Sequence, residues 1–198
     1  MTDTAEIKRG LRRELRARRR GLDAITQRRH GLLVTQHVAR TRWFRAARTV
    51  ALYLASDGEV DTMPLIRRCR ALGKQVFLPR ISPRRRMEFA RYRRGDRLRR
   101  GCFGILEPSP GAPAIPARQL DLVLVPLVGY TDSGDRLGMG GGFYDRCFAG
   151  LQRPALVGLA HSCQRVEALP EDSWDVRLAG VITETGATGR PFGKHRMD

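Results

Sequence analysis

A dense run of glycines is the feature of this chain with the clearest chemical meaning. Residues 134–146 read GDRLGMGGGFYDR. Glycine has no Cβ and tolerates positive φ, so backbone amides in such a segment can approach an anion closely. Successive amides then form a partially positive concavity that suits phosphate. A helix that begins near Gly141 or Gly142 would add its unpaired amino-terminal N–H groups to the same space.

The charged residues of this segment extend the same interpretation. Arg136 and Arg146 supply full positive charges, and Asp145 supplies a hard oxygen ligand for a phosphate-bound Mg²⁺. We therefore interpret the segment as a nucleotide-phosphate site.

Two familiar phosphate motifs do not fit the spacing. A Walker A loop requires a Lys-Ser or Lys-Thr pair, and the chain has neither. A dinucleotide fingerprint requires a third glycine where Phe143 stands, directly after a strand. A flexible surface turn remains open as an alternative. The arginine, tyrosine and aspartate around the glycines disfavour it, since flexible linkers favour serine.

The elements around the loop predict an α/β fold. Residues 120–126 are apolar and branched, which is typical of a strand buried on both faces, and this strand leads into the glycine loop. Open α/β sheets bind ligands at this carboxyl end. The pattern predicts one domain over residues 1–198, with a mainly parallel sheet and helices on both faces. Predicted helices span 5–21, with Ile7, Leu11 and Leu15 as an apolar stripe, and 23–40, 62–72 and 144–148. Predicted strands span 50–54, 75–79, 154–160 and 178–183, and residues 87–92 are predicted as an edge strand or hairpin partner. A loop is predicted over 108–117 and a mobile tail from about residue 186.

At the level of motifs, the chain resembles the 5-formyltetrahydrofolate cyclo-ligase family, also called 5,10-methenyltetrahydrofolate synthetases. The most specific match is the glycine loop, which follows Leu124-Val125-Pro126. The resemblance extends to about Thr185. It is carried further by Lys8-x-x-x-Arg12, Tyr53-Leu54-Ala55, Gly58-Glu59-Val60-Asp61-Thr62, Leu78-Pro79, Phe103-Gly104-Ile105-x-Glu107-Pro108, Leu169-Pro170 and Asp175.

The resemblance implies a ligase of one-carbon metabolism that uses ATP and Mg²⁺. The family cyclises 5-formyltetrahydrofolate to 5,10-methenyltetrahydrofolate and releases ADP and phosphate. Transfer of the γ-phosphoryl group to the formyl oxygen creates a good leaving group, and the neighbouring amine attacks. Positioning and charge neutralisation dominate such chemistry.

The resemblance also implies roles for particular residues. Lys8 and Arg136 are the candidate catalytic residues. Asp145 and Asp175 are the candidate Mg²⁺ ligands. The candidate ATP-binding residues are Lys8, Arg12, Arg136, Leu137, Gly138, Met139, Gly140, Gly141, Gly142, Phe143 and Tyr144. The candidate folate-binding residues are Leu54, Glu59, Met139, Phe143 and Tyr144.

Plain structural alternatives stay open for several of these residues. Lys8 and Arg12, four apart on a basic helix, also fit a solvated charged face. Asp175 also fits a surface turn, Glu59 a loop acid before a helix, and Leu54 an ordinary core residue. The chain departs from the family pattern at four positions, where many relatives carry a different residue: Thr131, Phe143, Trp174 and Ala179.

Net charge is the feature that most favours another class of function. The formal charge is +17, from 37 basic and 20 acidic residues, as expected of a nucleic-acid binder. No zinc finger or RNP-like strand accompanies it. A basic surface that attracts ATP and a polyglutamylated folate explains the charge equally simply. We expect a monomer without a specific nucleic-acid or membrane partner. An RNA-associated module and a site for another phosphorylated metabolite remain alternatives.

The cysteines and histidines bear on location and metal content. Four cysteines without a Cys-x-x-Cys pair favour reduced thiols in a cytoplasmic protein. No apolar run reaches membrane-spanning length, and the amino terminus lacks the apolar segment of a secretory signal. The histidines (His30, His37, His161 and His195) are scattered along the chain, which argues against a zinc site.

Overall fold

The computed structural model describes residues 4–82, 86–101, 103–151, 154–170, 172 and 174–188. The described residues form α-helices at α1 Thr4–Arg20, α2 Ala24–Arg40, α3 Arg42–Ala46, α4 Met63–Ala71 and α5 Phe143–Phe148. The strands are β1 Thr49–Ala51, β2 Gln75–Ile81, β3 Met87–Arg91, β4 Leu98–Arg100, β5 Leu106–Pro108, β6 Ala114–Ile115, β7 Leu122–Pro126, β8 Gly129–Tyr130, β9 Arg136–Leu137, β10 Ala155–Leu159, β11 Gly180–Thr183 and β12 Gly186–Thr188.

The centre of the molecule is a mixed sheet of eight strands in the order β12-β11-β10-β7-β1-β2-β3-β6. The five central strands from β11 to β2 are parallel, and the strands outside them are antiparallel. The predicted single-domain α/β class with a mainly parallel sheet is therefore confirmed.

Helices cover both faces of this sheet because its central strands are apolar on both sides. In β7, Leu122 and Leu124 join the core under α2, α3 and α4, whereas Val123 and Val125 join the core on the other face, which includes Phe148 of α5. Burial on both faces is what the uninterrupted apolar run predicts. In the described part of the chain, no helix combines the length and apolar character needed to cross a membrane.

Some boundaries differ from those predicted. Strand β3 is a hairpin partner of β2, but β6 covers its outer side, so β3 is not an edge. The loop predicted at 108–117 contains β6, which pairs through Ala114 and Ile115. The tail predicted to be mobile from about residue 186 begins with a paired strand, since Gly186–Thr188 pair with β11. Residues 189–198 lie outside the described part of the chain.

Helix α1 packs on a face that matches the predicted apolar stripe at Leu11 and Leu15 but not at Ile7. Ile7, expected in an apolar stripe with Leu11 and Leu15, is 42% exposed. The buried positions are Lys8, Leu15 and Arg19. Two of the three are cations, so hydrophobic periodicity identified only the part of the packed face that Leu11 and Leu15 provide.

Candidate functional site

The glycine loop lies beyond the carboxyl end of β7 and is anchored at its start by a hairpin. Strands β8 and β9 pair through Gly129 with Leu137. The Leu137 side chain packs in a small core with Leu15 of α1 and Val128. Because Leu137 is buried there, any contact it makes with a nucleotide would come from its backbone.

Positive φ angles in the loop explain why glycines occupy particular positions. Gly134 and Gly140 have φ values of +94° and +93°, and Gly142 has φ +60° at the N-cap of α5. Non-glycine residues adopt this region at a steric cost. Gly142 provides no side chain to cap α5. The first turn of the helix therefore presents backbone amides, as the sequence predicts for an anion site.

Arg12 lies directly against this loop. Its Nε donates to the carbonyl oxygen of Gly138 at 2.9 Å. A Cβ built on Gly140 would stand 3.3 Å from the Arg12 guanidinium carbon. The side chain and the loop therefore fit closely, and the solvated-face alternative does not describe Arg12.

Lys8 is buried and paired with two carboxylates. Its Nζ lies 2.6 Å from Asp172 Oδ2 and 3.3 Å from Asp175 Oδ2. Burial acts to lower the pKa of Lys8, but the hydrogen bonds and charges of these two aspartates outweigh burial and raise it above its ordinary value. Lys8 is consequently a cation held next to Asp175, which lines the same cleft as Arg136. Sequence reasoning did not identify Asp172, whose only signal is its place three residues before Asp175.

The two candidate Mg²⁺ ligands each contact one of the candidate catalytic cations. Asp145 Oδ1 accepts hydrogen bonds from Arg136 Nη2 and, at 3.1 Å, from the backbone amide of Val176. Asp175 Oδ2 accepts from Lys8 and from the amide of Asp172. Asp175 also lines a small cleft with Arg136, so the structure brings both pairs to one region.

Glu59 lies in the loop between β1 and α4, and its side chain is only 11% exposed. Its Oε2 accepts from the amide and hydroxyl of Ser56 at 3.0 and 3.4 Å. Burial raises the pKa of Glu59 despite these bonds. Burial and the charge of Glu59 also raise the pKa values of Tyr53 and Tyr144. The candidate folate residues Glu59 and Tyr144 thus share one electrostatic environment.

Arg19 holds the Glu59 loop in place, a role that the sequence did not reveal. Its side chain is fully buried and donates from Nε to the carbonyl oxygen of Asp57 and from Nη1 to that of Leu127, at 2.8 and 3.1 Å. Its Nη2 lies 2.7 Å from the Asp57 carboxylate. Asp57 itself has φ +53°. Within the Arg18-Arg19-Arg20 run, generic surface charge is therefore the wrong explanation for Arg19.

The apolar candidates divide into an exposed rim and a packed interior. Met139 is 53% exposed, and the ring of Phe143 meets that of Phe103 edge-on at 5.5 Å between centroids. Tyr144 stacks on Phe148, with 6.3 Å between centroids. Leu54 packs against the core under α2 and α4. Leu54 therefore has a structural role whether or not it contacts a ligand.

Three further side chains meet away from the glycine loop. His30 of α2, His161 after β10 and Glu184 after β11 bring their ligand atoms within 4.8 Å of one another. This is the one such group of three or more metal-binding side chains that the described residues contain, and neither Asp145 nor Asp175 belongs to it. Burial lowers the pKa of His161 to about 4. Hydrogen bonds from Ser162 outweigh burial at Glu184 and lower the pKa of its carboxyl group.

Comparison with known proteins identifies the family. The model of the 5-formyltetrahydrofolate cyclo-ligase family matches residues 4–184. The chain belongs to this family. The matched range contains the glycine loop, Lys8, Glu59 and Asp175, so the resemblance inferred from the motifs is confirmed.

Individual relatives agree over nearly their whole length. The chain is 38% identical to the 5-formyltetrahydrofolate cyclo-ligase of Haemophilus influenzae over 87% of this chain and 95% of that protein. Identity to the mouse enzyme of the same name is 31%, over 89% and 93%. The solved structure of Aquifex aeolicus 5,10-methenyltetrahydrofolate synthetase matches with a TM-score of 0.82 at 30% identity, covering 96% of this chain and 98% of that one.

Proposed function

We propose that this protein cyclises 5-formyltetrahydrofolate to 5,10-methenyltetrahydrofolate with consumption of ATP, and that Mg²⁺ assists. The proposal rests on the placement of three cations: Arg12 of α1 contacts the glycine loop, Arg136 lies in that loop, and Lys8 of α1 pairs with Asp175, which lines a cleft with Arg136. Three cations and the amides of an uncapped helix around one loop suit a triphosphate. Family membership supplies the folate substrate class.

In this mechanism the cations exchange their carboxylate partners for phosphate. Lys8 and Arg136 are each held by aspartates, so their side chains are ordered before a nucleotide binds. When phosphate oxygens take the place of these carboxylates, the cations neutralise the charge of the transferred phosphoryl group. The glycine amides and Arg12 fix the triphosphate, so the γ-phosphoryl group can meet the formyl oxygen.

The donor set fits Mg²⁺. Carboxylate oxygens are the ligands this hard cation prefers, usually one or two of them together with phosphate oxygens. We assign Asp145 and Asp175 as those ligands, because the same exchange that moves Arg136 and Lys8 onto phosphate releases the two carboxylates. Bound there, Mg²⁺ would neutralise the charge on the phosphates.

Glu59 and Tyr144 provide the other half of the site. A carboxylate can accept paired hydrogen bonds from the amino and ring N–H groups of a pterin. Ser56 holds the Glu59 side chain, and Arg19 holds the loop, so the acceptor is oriented in advance. Exposed Met139 and half-buried Phe143 provide apolar surface in the loop for the rest of the folate.

We further propose a cytoplasmic monomer that accepts polyglutamylated folates. The cysteines that the structure describes, Cys69, Cys147 and Cys163, are free thiols, which fits a reducing compartment. The excess of arginine would attract an anionic glutamate tail.

One assay tests the activity directly. Purified protein is mixed with 5-formyltetrahydrofolate, and formation of the methenyl product is followed by its absorbance, with ATP and Mg²⁺ together and with each omitted. We expect product only when both are present. Turnover without ATP, or no turnover in folded protein under any of these conditions, would overturn the proposal.

A further inference from the structure

The cluster of His30, His161 and Glu184 joins three elements outside the glycine loop. Helix α2, the turn after β10 and the end of β11 contribute one side chain each. His161 is fully buried, whereas the side chains of His30 and Glu184 are 16% and 9% exposed. A small ion could therefore reach the cluster from the His30 side.

The short contact between the two imidazole nitrogens requires a proton or a cation between them. Nδ1 of His30 lies 2.9 Å from Nδ1 of His161. The Nε2 of His161 lies 3.2 Å from the carbonyl oxygen of Gly58, which can only accept, so this Nε2 carries the proton. In neutral His161 the Nδ1 is then a bare lone pair. Two lone pairs would repel each other at 2.9 Å, so either His30 Nδ1 carries a proton or both nitrogens share a cation.

Glu184 adds a third possible ligand atom beside the two imidazoles. Its Oε2 lies 3.7 Å from the same His30 Nδ1, too far for a hydrogen bond. A proton on His30 Nδ1 joins only the two nitrogens. Two ligands of a tetrahedral zinc ion lie about 3.4 Å apart, given metal–ligand bonds of about 2.0–2.1 Å. The 2.9 Å between the imidazole nitrogens and the 3.7 Å from His30 to Glu184 lie on either side of that value, and all three ligand atoms lie within 4.8 Å of one another. Side-chain movements would therefore suffice to place the three atoms around one ion.

The groups that form hydrogen bonds with these three side chains are also typical of a metal site. Metal-binding histidines usually donate their second N–H to a backbone carbonyl, as His161 does to Gly58. Metal-binding carboxylates are usually hydrogen-bonded in turn, and Glu184 accepts from the amide and hydroxyl of Ser162. Imidazole nitrogens with one carboxylate suit zinc and its neighbours among the divalent transition metals.

We propose that His30, His161 and Glu184 form a binding site for one divalent transition-metal ion of the zinc class, with solvent completing the coordination. The ion would tie α2 to the ends of β10 and β11. Through Gly58 it would also support the loop that carries Glu59. The scattering of the histidines along the sequence was therefore a poor argument against zinc, because the fold brings two of them together.

The test uses untagged protein treated with a chelator and then titrated with Zn²⁺ by calorimetry. We expect one equivalent per chain, and a rise in Tm of about 5 °C or more at a hundredfold excess over Kd. His30→Gln and Glu184→Gln should each weaken binding at least tenfold. His37→Gln is the matched control, since His37 lies on the same helix and hydrogen-bonds to the backbone carbonyl oxygen of Glu184 rather than to its carboxylate. This variant should bind Zn²⁺ as the wild type does.

Cobalt provides a readout that needs no variant. Co²⁺ should give visible ligand-field bands of nitrogen and oxygen ligation, without the near-ultraviolet band of a thiolate. The proposal is overturned if micromolar Zn²⁺ does not bind stoichiometrically, if a thiolate band shows that cysteine is the ligand, or if His30→Gln leaves affinity unchanged. A shared proton between the imidazoles would then account for the 2.9 Å contact.

Discussion

At the residue scale, the candidate site contains ion pairs that we propose change partners when a nucleotide binds. Arg136 and Lys8 each have a side chain held by carboxylates, and two of those carboxylates are the proposed Mg²⁺ ligands. A buried charge left without a partner is costly, so each cation needs a carboxylate until a phosphate replaces it. The pairs therefore keep the site charged and ordered in the absence of nucleotide.

Asp145→Asn tests the metal role of this carboxylate. The amide preserves the shape but removes the anionic ligand, so we expect most turnover to be lost while the protein stays folded. Turnover is measured as a function of Mg²⁺, and circular dichroism monitors folding. Asp132→Asn is the control, because Asp132 also pairs with an arginine but is about half exposed. Near-wild-type turnover of the Asp145 variant at limiting Mg²⁺ would remove Asp145 from this role.

Glu59→Gln tests pterin recognition. The amide can no longer accept two hydrogen bonds from the pterin, so we expect KM for the folate to rise tenfold or more while KM for ATP changes little. Steady-state kinetics with each substrate varied in turn separate the two. An equal rise in both constants would indicate that Glu59 only shapes the loop.

At the scale of elements, α1 links the two halves of the site. Lys8 and Arg12 extend from this helix toward the glycine loop and its neighbours, and Arg19 extends from it toward the Glu59 loop. Their spacing of four and seven residues puts all three on one helix face. A shift of this helix would therefore disturb the nucleotide and folate residues together.

The double change Lys8→Ala and Arg12→Ala tests the nucleotide half. Because both cations are assigned to phosphates, ATP binding should weaken far more than folate binding. Isothermal titration with each ligand measures the two affinities. Arg9→Ala with Arg13→Ala removes the same charge from exposed positions of the same helix and should change little. An equal loss of both ligands in the Lys8 and Arg12 variant, or no loss, would contradict the assignment.

The contact between α1 and the Glu59 loop predicts an acid-sensitive contribution to stability. Burial acts to raise the pKa of Asp57, but hydrogen bonds from Arg16, Arg19 and Arg20 outweigh it and lower the pKa to about 2. Between pH 4 and 2 the unfolded chain thus binds more protons here than the folded one. The contribution is complete above about pH 4 and is lost as the pH falls toward 2.

Asp57→Asn measures this contribution. Asparagine tolerates the left-handed backbone at this position, so the change removes charge without adding strain. The free energy of unfolding, from urea titrations, should fall by about 2 kcal/mol or less at neutral pH. The difference from wild type should shrink between pH 4 and 2. Asp96→Asn, at a turn acid that caps the Arg93 amide, is the control. A difference that does not depend on pH would contradict the prediction.

At the scale of the whole molecule, the charge of +17 is the property that no single site explains. Arginines in the described part of the chain occupy different environments. Arg19 is fully buried, Arg12 of α1 contacts the glycine loop, and Arg93 and Arg97 line an open cleft. Excess charge alone produces attraction to any polyanion, which salt screens.

RNA binding should accordingly be weak and indifferent to sequence. We expect affinity to fall steeply between 50 and 200 mM salt, since it rests on counterion release. Filter binding with several RNA sequences measures this. Glu59→Gln should leave the RNA affinity unchanged while it impairs folate turnover. Tight, sequence-selective binding at physiological salt, in protein without cyclo-ligase activity, would overturn the enzyme assignment.

The sequence alone determined the features that depend on local chemistry. The apolar run that became β7 identified a doubly covered strand, and the glycines identified a loop whose backbone needs positive φ at Gly134, Gly140 and Gly142. The motif also identified the family, because residue types at fixed spacing are themselves the signal. These features depend on neighbours in the chain.

Tertiary structure decided which charged and polar side chains meet. Lys8 with Asp172, Arg19 with Asp57 and His30 with His161 are separated by 164, 38 and 131 residues. Sequence patterns report a buried face through apolar periodicity, so a face of α1 made of Lys8 and Arg19 carries no such signal. Those cations can be buried only because carboxylates and carbonyl oxygens from distant segments compensate their lost hydration, and the fold alone brings these partners together.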